Sequence, residues 1–600
     1  MKKVPEMIED HIFGDKDLSQ VSAPWLVRYY QGVRHLQRRS PLKVLPGEIC
    51  RLEVTTSDDL LIVDVHLWYS CDGWKTREQL DFVKGELIWD TLRWGWLRHW
   101  WIDLPQMNEG VILRYKIGAR TEPQGTWIFA DNQVDNFEQA SHFAICYDLK
   151  PLPEWSRRAR VYQVFVDRFN PGEGHNWVQQ VDIMQPYGGT LRGVIEKLDH
   201  IKSLGLNAIW LTPIYSSPSH HGYDISNYME INPRFGSLED FDELVTQIHQ
   251  RDMRLIMDFV ANHCSDQLPQ FLDARENQDS IYHNWFTWQH WPDQFRCFYD
   301  VRSMPEFDLG YGLPARSFML DCAQFWLKRG ADGFRLDYAH GPTQDFWVDF
   351  RRACLQVKPD SWLFGEIVQP ADSTARFAGS LDGSLDFHLC RALRLTFAQK
   401  TWSLSRLAGF LVTQASYFDA DFSLPSFIDN HDMNRFLIPA HGDTRLLKIA
   451  LMLLYFLPQP PIVYYGTEFA LSQSRSIHEE QGLGFDEARL PIDWTIDSPL
   501  KDYLRKLAEM RETFPVILQG KLKVRLCDDK RQLLVMQTGV DDSMIYLVVN
   551  RSNHNNEVEL NLETEGNWKD VISGQTFPHH SGKIIVKLEA LESILLAHGL

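Results

Sequence analysis

The sequence predicts an α/β protein built on a (β/α)8 TIM barrel, with one β-sandwich before the barrel and another after it. Three observations carry that prediction. From Arg160 onward, short apolar strands alternate with amphipathic helical stretches. Eight strand signals follow one another in that run, as eight parallel β–α units require. The glycine-rich phosphate turn that an open doubly wound sheet would place after its first strand is missing.

Residues 1–150 read as the first sandwich. Arg51 to Thr55, Leu60 to Tyr69 and Val111 to Ile117 are rich in β-branched and aromatic residues, and Cys71-Asp72-Gly73 marks a turn. Seven Trp fall between Trp68 and Trp101. Such rings suit a sugar-binding face or the core and docking face of a sandwich, and their density favours core and docking.

Residues 151–515 read as the barrel. Its first three strands are expected at Val161 to Phe165, Ala208 to Leu211 and Leu255 to Phe259, separated by helices at Leu191 to Leu204 and Leu238 to Gln250. An irregular insert over about 261–314, dense in aromatic and acidic residues, interrupts the alternation. Helix Arg316 to Arg329 then leads to strand Gly333 to Leu336, and helix Phe346 to Gln356 leads to strand Trp362 to Phe364. The last three strands are expected near Leu385 to Phe387, Ser426 to Ile428 and Pro461 to Tyr465. Residues 516–600 return to strand patterns, as at Met544 to Val549 and Ile584 to Leu588.

Composition narrows the function classes. With 600 residues, 44% hydrophobic and 24% charged, the chain is an ordinary soluble globular one. Its net charge of −19 makes it a poor partner for nucleic acid, which demands clustered Lys and Arg. The nine Cys are odd in number and contain no Cys-x-x-Cys pair, which predicts reduced thiols in a cytoplasmic protein. Residues 1–10 have two lysines but no apolar stretch behind them, so no secretory signal is read. The longest apolar run, Ile449 to Leu457, is about half a membrane span, and no membrane partner is expected.

In such a barrel the reactive groups come from the carboxyl ends of the strands. Strand three ends in Asp258-Phe259-Val260-Ala261-Asn262-His263, strand four in Arg335-Leu336-Asp337, strand five in Phe364-Gly365-Glu366 and strand seven in Asp429-Asn430-His431-Asp432. One acid at a strand end is a common helix cap, but several around one mouth raise one another's pKa and suggest chemistry. Glycosidic hydrolysis fits, because it needs one carboxylate to attack the anomeric carbon and one carboxylic acid to protonate the leaving oxygen. Arg335 lies on the same strand face as Asp337 and is expected to keep it ionised, whereas apolar neighbours favour a neutral Glu366.

These residues resemble the alpha-amylase superfamily of glycoside hydrolases. Its signatures are matched by Asp258-Phe259-Val260-Ala261-Asn262-His263, Gly333-Phe334-Arg335-Leu336-Asp337, Gly365-Glu366-Ile367 and Phe427-Ile428-Asp429-Asn430-His431-Asp432. His221-Gly222-Tyr223-Asp224 and Ile462-Val463-Tyr464-Tyr465-Gly466-Thr467-Glu468 match as well. The resemblance implies Asp337 as nucleophile, Glu366 as acid/base and Asp432 as transition-state stabiliser, with Tyr223, His263, Arg335, His431, Asp486 and Arg489 binding substrate. It makes the insert the family's domain B. Its segment Met304-Pro305-Glu306-Phe307-Asp308 and the leading sandwich look like the neopullulanase, cyclomaltodextrinase and maltogenic amylase group. That group implies hydrolysis of α-1,4 bonds in cyclodextrins, pullulan, starch or malto-oligosaccharides, with transglycosylation, and a homodimer formed through the N-terminal domain.

The chain also departs from the family. Gly341 stands where calcium-dependent amylases place a histidine, so calcium is not required by the residues and no metal ligand is assigned. A partial match to a second calcium loop begins at Asp167-Arg168-Phe169-Asn170. Val368 replaces the group's usual Trp after the acid, and Asp486 and Arg489 sit one residue closer than usual. An exo-acting α-glucosidase or a glucanotransferase are the alternative enzymes. An inactive glucan-binding scaffold would be expected to lose a carboxylate, and all three are kept.

Overall fold

The computed structural model describes residues 32–90, 95–178, 182–479, 484–519, 521–539, 544–562 and 566–598. The amino-terminal segment read for a signal, and Trp94, lie outside them.

Strands Val161–Val164, Ala208–Leu211, Arg254–Phe259, Gly333–Leu336, Trp362–Gly365 and Gly383–Ser384 form consecutive parallel pairs, and Ile462–Tyr464 returns to pair with the first. The seventh position is held by isolated bridges, Gly383 to Ser423 and Ser426 to Pro461, which close the ring. The strands are apolar throughout because both faces are covered. Val161, Ala208, Trp210, Ile256, Trp362, Phe364 and Ile462 fill the barrel interior. The alternate residues Tyr162, Ile209, Leu255, Met257, Phe334 and Leu363 pack in the core that includes the helices.

Local departures from expectation have visible causes. The stretch from Leu191 is two helices, Leu191–Glu196 and Leu198–Ser203, meeting at Lys197. The sixth strand ends at Ser384, because Asp386 caps the next helix, Phe387–Leu393, by accepting a hydrogen bond from the Leu389 amide. In the first sandwich, Asp58–Leu60 is a 3-10 turn, and the strand read from Leu60 begins at Asp64.

The N-terminal region is two five-stranded sheets. Leu52, Val54, Trp100 and Ile102 of one share a core with Leu67, Leu113, Tyr115 and Ile117 of the other. The Trp cluster divides in a way the sequence did not foresee. Trp100 is buried and donates from Nε1 to Thr56 Oγ1 at 3.0 Å, but Trp96 is 50% exposed and packs edge-on against Trp89. Docking to the barrel uses other residues: Ile112 and Ala144 cover Val348, and ion pairs surround them. Arg114 pairs with Asp345 and Asp349 of helix Gln344–Val357, to which Arg316 also binds at 2.6 Å each, and Arg351 joins Asp148 at 2.7 Å to Asp382 at 2.8 Å.

The insert holds helix Pro269–Glu276 and the ribbon Trp288–His290 with Gln294–Phe295, around Phe271, Phe286 and Trp288. The C-terminal region carries a six-stranded sheet and the ribbon Asn556–Asn561 with Lys583–Leu588, which share a core through Val535, Val548, Val558 and Val586. Among the described residues, no helix is long and apolar enough to cross a membrane.

Candidate active site

Strand parity builds the site. Ile256, Gly333 and Phe364 face the barrel interior or its register neighbours, so Asp258, Arg335 and Glu366, each two residues on, face the same way at the mouth. Asp337, two beyond Arg335, joins them. The tight approach at Gly222, with φ +82° and Pro213 O only 2.6 Å from where a Cβ would sit, turns Tyr223 toward the same mouth.

Arg335, fully buried, is the hub. Its Nη1 lies 2.8 Å from both Asp258 Oδ1 and Asp337 Oδ1, and its Nη2 lies 2.8 Å from Glu366 Oε1. The amide of Tyr338 donates to Glu366 Oε2 at 3.2 Å. Tyr223 OH donates to Asp258 Oδ2 at 3.0 Å and also meets His431 Nε2, and its ring is parallel to that of His431 at 5.5 Å. Asp432 has its own cation: Arg489 Nη2 is 2.8 Å from Oδ1, and His431 Nε2 is 3.0 Å from Oδ2. The Gln163 amide donates to His431 Nδ1 at 2.7 Å, which leaves the ring proton on Nε2.

The acids are tuned apart. Burial pushes Asp337 well above the usual carboxylate range; Arg335 opposes the rise, while Glu366, Asp258 and Asp432 add to it. Burial also raises Glu366, again against Arg335 and with help from Asp432. Asp432 goes the other way: His431, Arg489 and Arg335 outweigh its burial and hold it below the usual range. Burial takes His431 and His263 down to about 3 and His221 to about 4, so all three imidazoles are neutral. Arg335 lies against Asp337 at 2.8 Å, as expected, and opposes the rise, but it is not reserved for that carboxylate. One guanidinium divided among three carboxylates cannot neutralise them all, and the cluster titrates as a unit.

The predicted residues come together at this mouth, with differences. Asp337, Glu366, Asp432, Tyr223 and His431 form one connected network. Arg335, expected to contact substrate, is wholly enclosed behind the carboxylates. Arg489 is engaged with Asp432 and the His431 carbonyl, and Asp486 accepts from His220 Nε2 at 2.8 Å. His263 stacks on Phe298 of the insert at 4.4 Å, and neither of its ring nitrogens has a hydrogen-bond partner. Asp258 was read as a strand-end acid but given no role, and Gln163 and His220 were missed. Asp258 was readable from the same strand-end rule as Asp337, whereas Gln163 and His220 carry no pattern that marks them.

Protein contacts take up the residues at the calcium position. Asn262 Nδ2 donates to Glu306 Oε1 at 3.2 Å, and a Cβ at Gly341 would stand 2.2 Å from Asn262 Oδ1. The only side-chain oxygen of Asn262 thus faces a glycine, and among the described residues no three acidic, His or Cys groups are gathered to hold a metal. At the second loop, Asp167 is occupied by Arg168 at 2.7 Å and by the amides of Tyr187 and Gly188.

A closed parallel barrel with paired carboxyls and a third acid at its carboxyl mouth has the groups that glycoside hydrolysis requires. Residues 163–506 match the alpha amylase catalytic domain, and the chain belongs to that family of hydrolases. It is 32% identical over 448 residues to Alpha-amylase 2 of Dictyoglomus thermophilum, covering 74% of this chain and 75% of that protein. It is 26% identical to Neopullulanase 2 of Thermoactinomyces vulgaris over 95% of this chain and 98% of that one. A solved cyclomaltodextrinase superposes with a TM-score of 0.70 over 95% of this chain and all of the other, at 21% identity, which extends the shared fold to the flanking regions.

Proposed function

We propose that the chain is a retaining hydrolase of α-1,4-glucosidic bonds in cyclodextrins, pullulan, starch or malto-oligosaccharides, with transfer to a sugar acceptor as a second outcome. One observation carries it: Asp337 and Glu366 are held on the two arms of a single guanidinium, while Asp432 stands ionised on another. Sharing one guanidinium brings the two carboxyls near each other, which supports the short separation of about 5–5.5 Å that a retaining pair uses. The full-length likeness to a neopullulanase supports the substrate class.

In this reading the shared proton of the cluster resides on Glu366 when a glucan enters. Asp337 attacks the anomeric carbon as Glu366 protonates the leaving oxygen, and Asp432 stabilises the positive charge that develops on the ring. Glu366, now a carboxylate, then takes a proton from water or a sugar hydroxyl that displaces Asp337. No cofactor is needed, and the engagement of Asn262 and the glycine at 341 support catalysis without calcium. The exposed apolar side chains of Val83, Leu87, Ile88 and Trp96, on and beside a sheet-edge strand, support pairing with a second copy, and nine cysteines not joined in disulfides support a cytoplasmic site.

Incubation with β-cyclodextrin, pullulan, starch and maltotriose tests the reading. Ring opening of the cyclodextrin and cleavage of pullulan are expected, and no turnover of any of the four would overturn it.

A further inference from the structure

His220 belongs to no motif and touches none of the three acids, yet it is buried at the rim of the site with a single strong partner. Its Nε2 donates to Asp486 Oδ1 at 2.8 Å, and both residues are almost fully enclosed. That same oxygen is farther from two cations, 3.6 Å from Arg168 Nη2 and 3.8 Å from Arg489 Nη1. Arg489 is spread between two acids. Its Nη2 binds Asp432 at 2.8 Å and its Nε donates to the His431 carbonyl at 2.8 Å, while Nη1 points to Asp486. The backbone of Arg489 is pinned by Arg168 Nη1 at 2.9 Å, and its guanidinium lies over the ring of Phe165, against which His220 and His431 also pack. Residues 484–488 are a 3-10 turn, and the i, i+3 spacing brings Asp486 and Arg489 onto one face.

We propose that His220 is a positioning residue for the third acid, fixing Asp486 so that Arg489 stays directed at Asp432. A buried carboxylate needs a close donor. With His220 present, Asp486 has one and Arg489 is left to Asp432. Without it, Arg168 Nη2 at 3.6 Å is held by the carbonyls of Ile183 and Gln185, so the compensation falls to Arg489, which closes its 3.8 Å gap to Asp486 and leaves Asp432. Asp432 then loses the cation that holds it ionised and oriented where positive charge develops. The transition state suffers more than the bound substrate. The inference rests on the proposed role of Asp432.

The test uses the full chain with His220→Ala, His220→Gln and Asp432→Asn, assayed on maltotriose and for inhibition by 1-deoxynojirimycin, a cation that mimics the charged ring. His220→Ala is expected to lower kcat about 100-fold, the scale of a displaced catalytic group, with KM within about threefold. Iminosugar affinity should fall with kcat, and His220→Gln, whose amide can donate to Asp486, should restore both to within about threefold of wild type. Should the alanine variant not fold, His220→Asn, whose amide is too short to reach, serves in its place. Wild-type kcat, a loss confined to KM, unchanged iminosugar binding or failure of Gln to rescue would each overturn the inference. Asp432→Asn separates the two levels. If it is inactive while His220→Ala is normal, only this inference fails; if it turns over normally, the assignment of the third acid fails with it.

Discussion

Arg335 places Nη2 2.8 Å from Oε1 of Glu366, so the carboxyl proposed as the acid is tied to the same cation as the proposed nucleophile. Burial nonetheless raises both carboxyls, because one positive charge faces Asp258, Asp337 and Glu366 together. The site is poised to hold a proton, and the guanidinium fixes where the competing carboxylates stand.

Replacing Asp337 by Asn should lower kcat by about three to four decades, the scale of removing an essential catalytic group. The wild-type enzyme should release the α-anomer first. An NMR time course reads the anomer directly, and early β-anomer would refute the retaining assignment.

Glu366 sits above the usual range, so its protonated form survives to higher pH than in a free carboxyl. The basic limb of kcat/KM should report its loss as pH rises, and Glu366→Gln should remove that limb. The variant should lose far more on natural glucans than on substrates with an activated aryl leaving group, measured in the pre-steady-state glycosylation step. Equal losses on both would show that another group is the acid.

Arg335→Met leaves three buried carboxylates without their cation, and breaking such a cluster costs about 3–5 kcal/mol. Their folded pKa values should rise further above the unfolded ones. Stability is then fully present below the unfolded values and drains away as pH rises through the folded ones. Thermal scans of the variant should show Tm increasing from pH 8 to pH 5 relative to wild type, and a flat difference would contradict the hub.

In the first sandwich, Trp100→Ala should cost about 3–5 kcal/mol, whereas Trp96→Ala, half-exposed, should stay within about 0.5 kcal/mol. Deleting residues 1–150 should leave Asp345 and Asp349 without Arg114 and strip the cover from Val348, giving an unstable barrel. Denaturant melts of the three proteins check this, and a truncated barrel with wild-type stability would show that the sandwich is a detached module.

Chelation should leave both Tm and turnover unchanged, since Asn262 is engaged with Glu306 and faces a glycine. A drop reversed by calcium would point to ligands beyond these residues.

Much of this was decided by the sequence itself. Two-residue parity along each strand sets which side chains enter the barrel, so Arg335, Asp337 and Glu366 are legible as a group in the sequence. Helix Leu238–Gln250 and strands Ala208–Leu211 and Gly333–Leu336 fall where their periodicity places them, because burial of one helix face or of a whole strand leaves a local signature. Tertiary structure alone decided how charge is shared. Whether Arg335 serves one carboxylate or three depends on strands 77 residues apart along the chain, as does the choice of Arg489 for Asp432 across 57 residues. The fate of each Trp, core for Trp100 and surface for Trp96, and the docking through Arg114, were settled the same way. Sequence patterns record which face a side chain takes; only the packing of distant segments determines which charges meet there and how deeply they are removed from water.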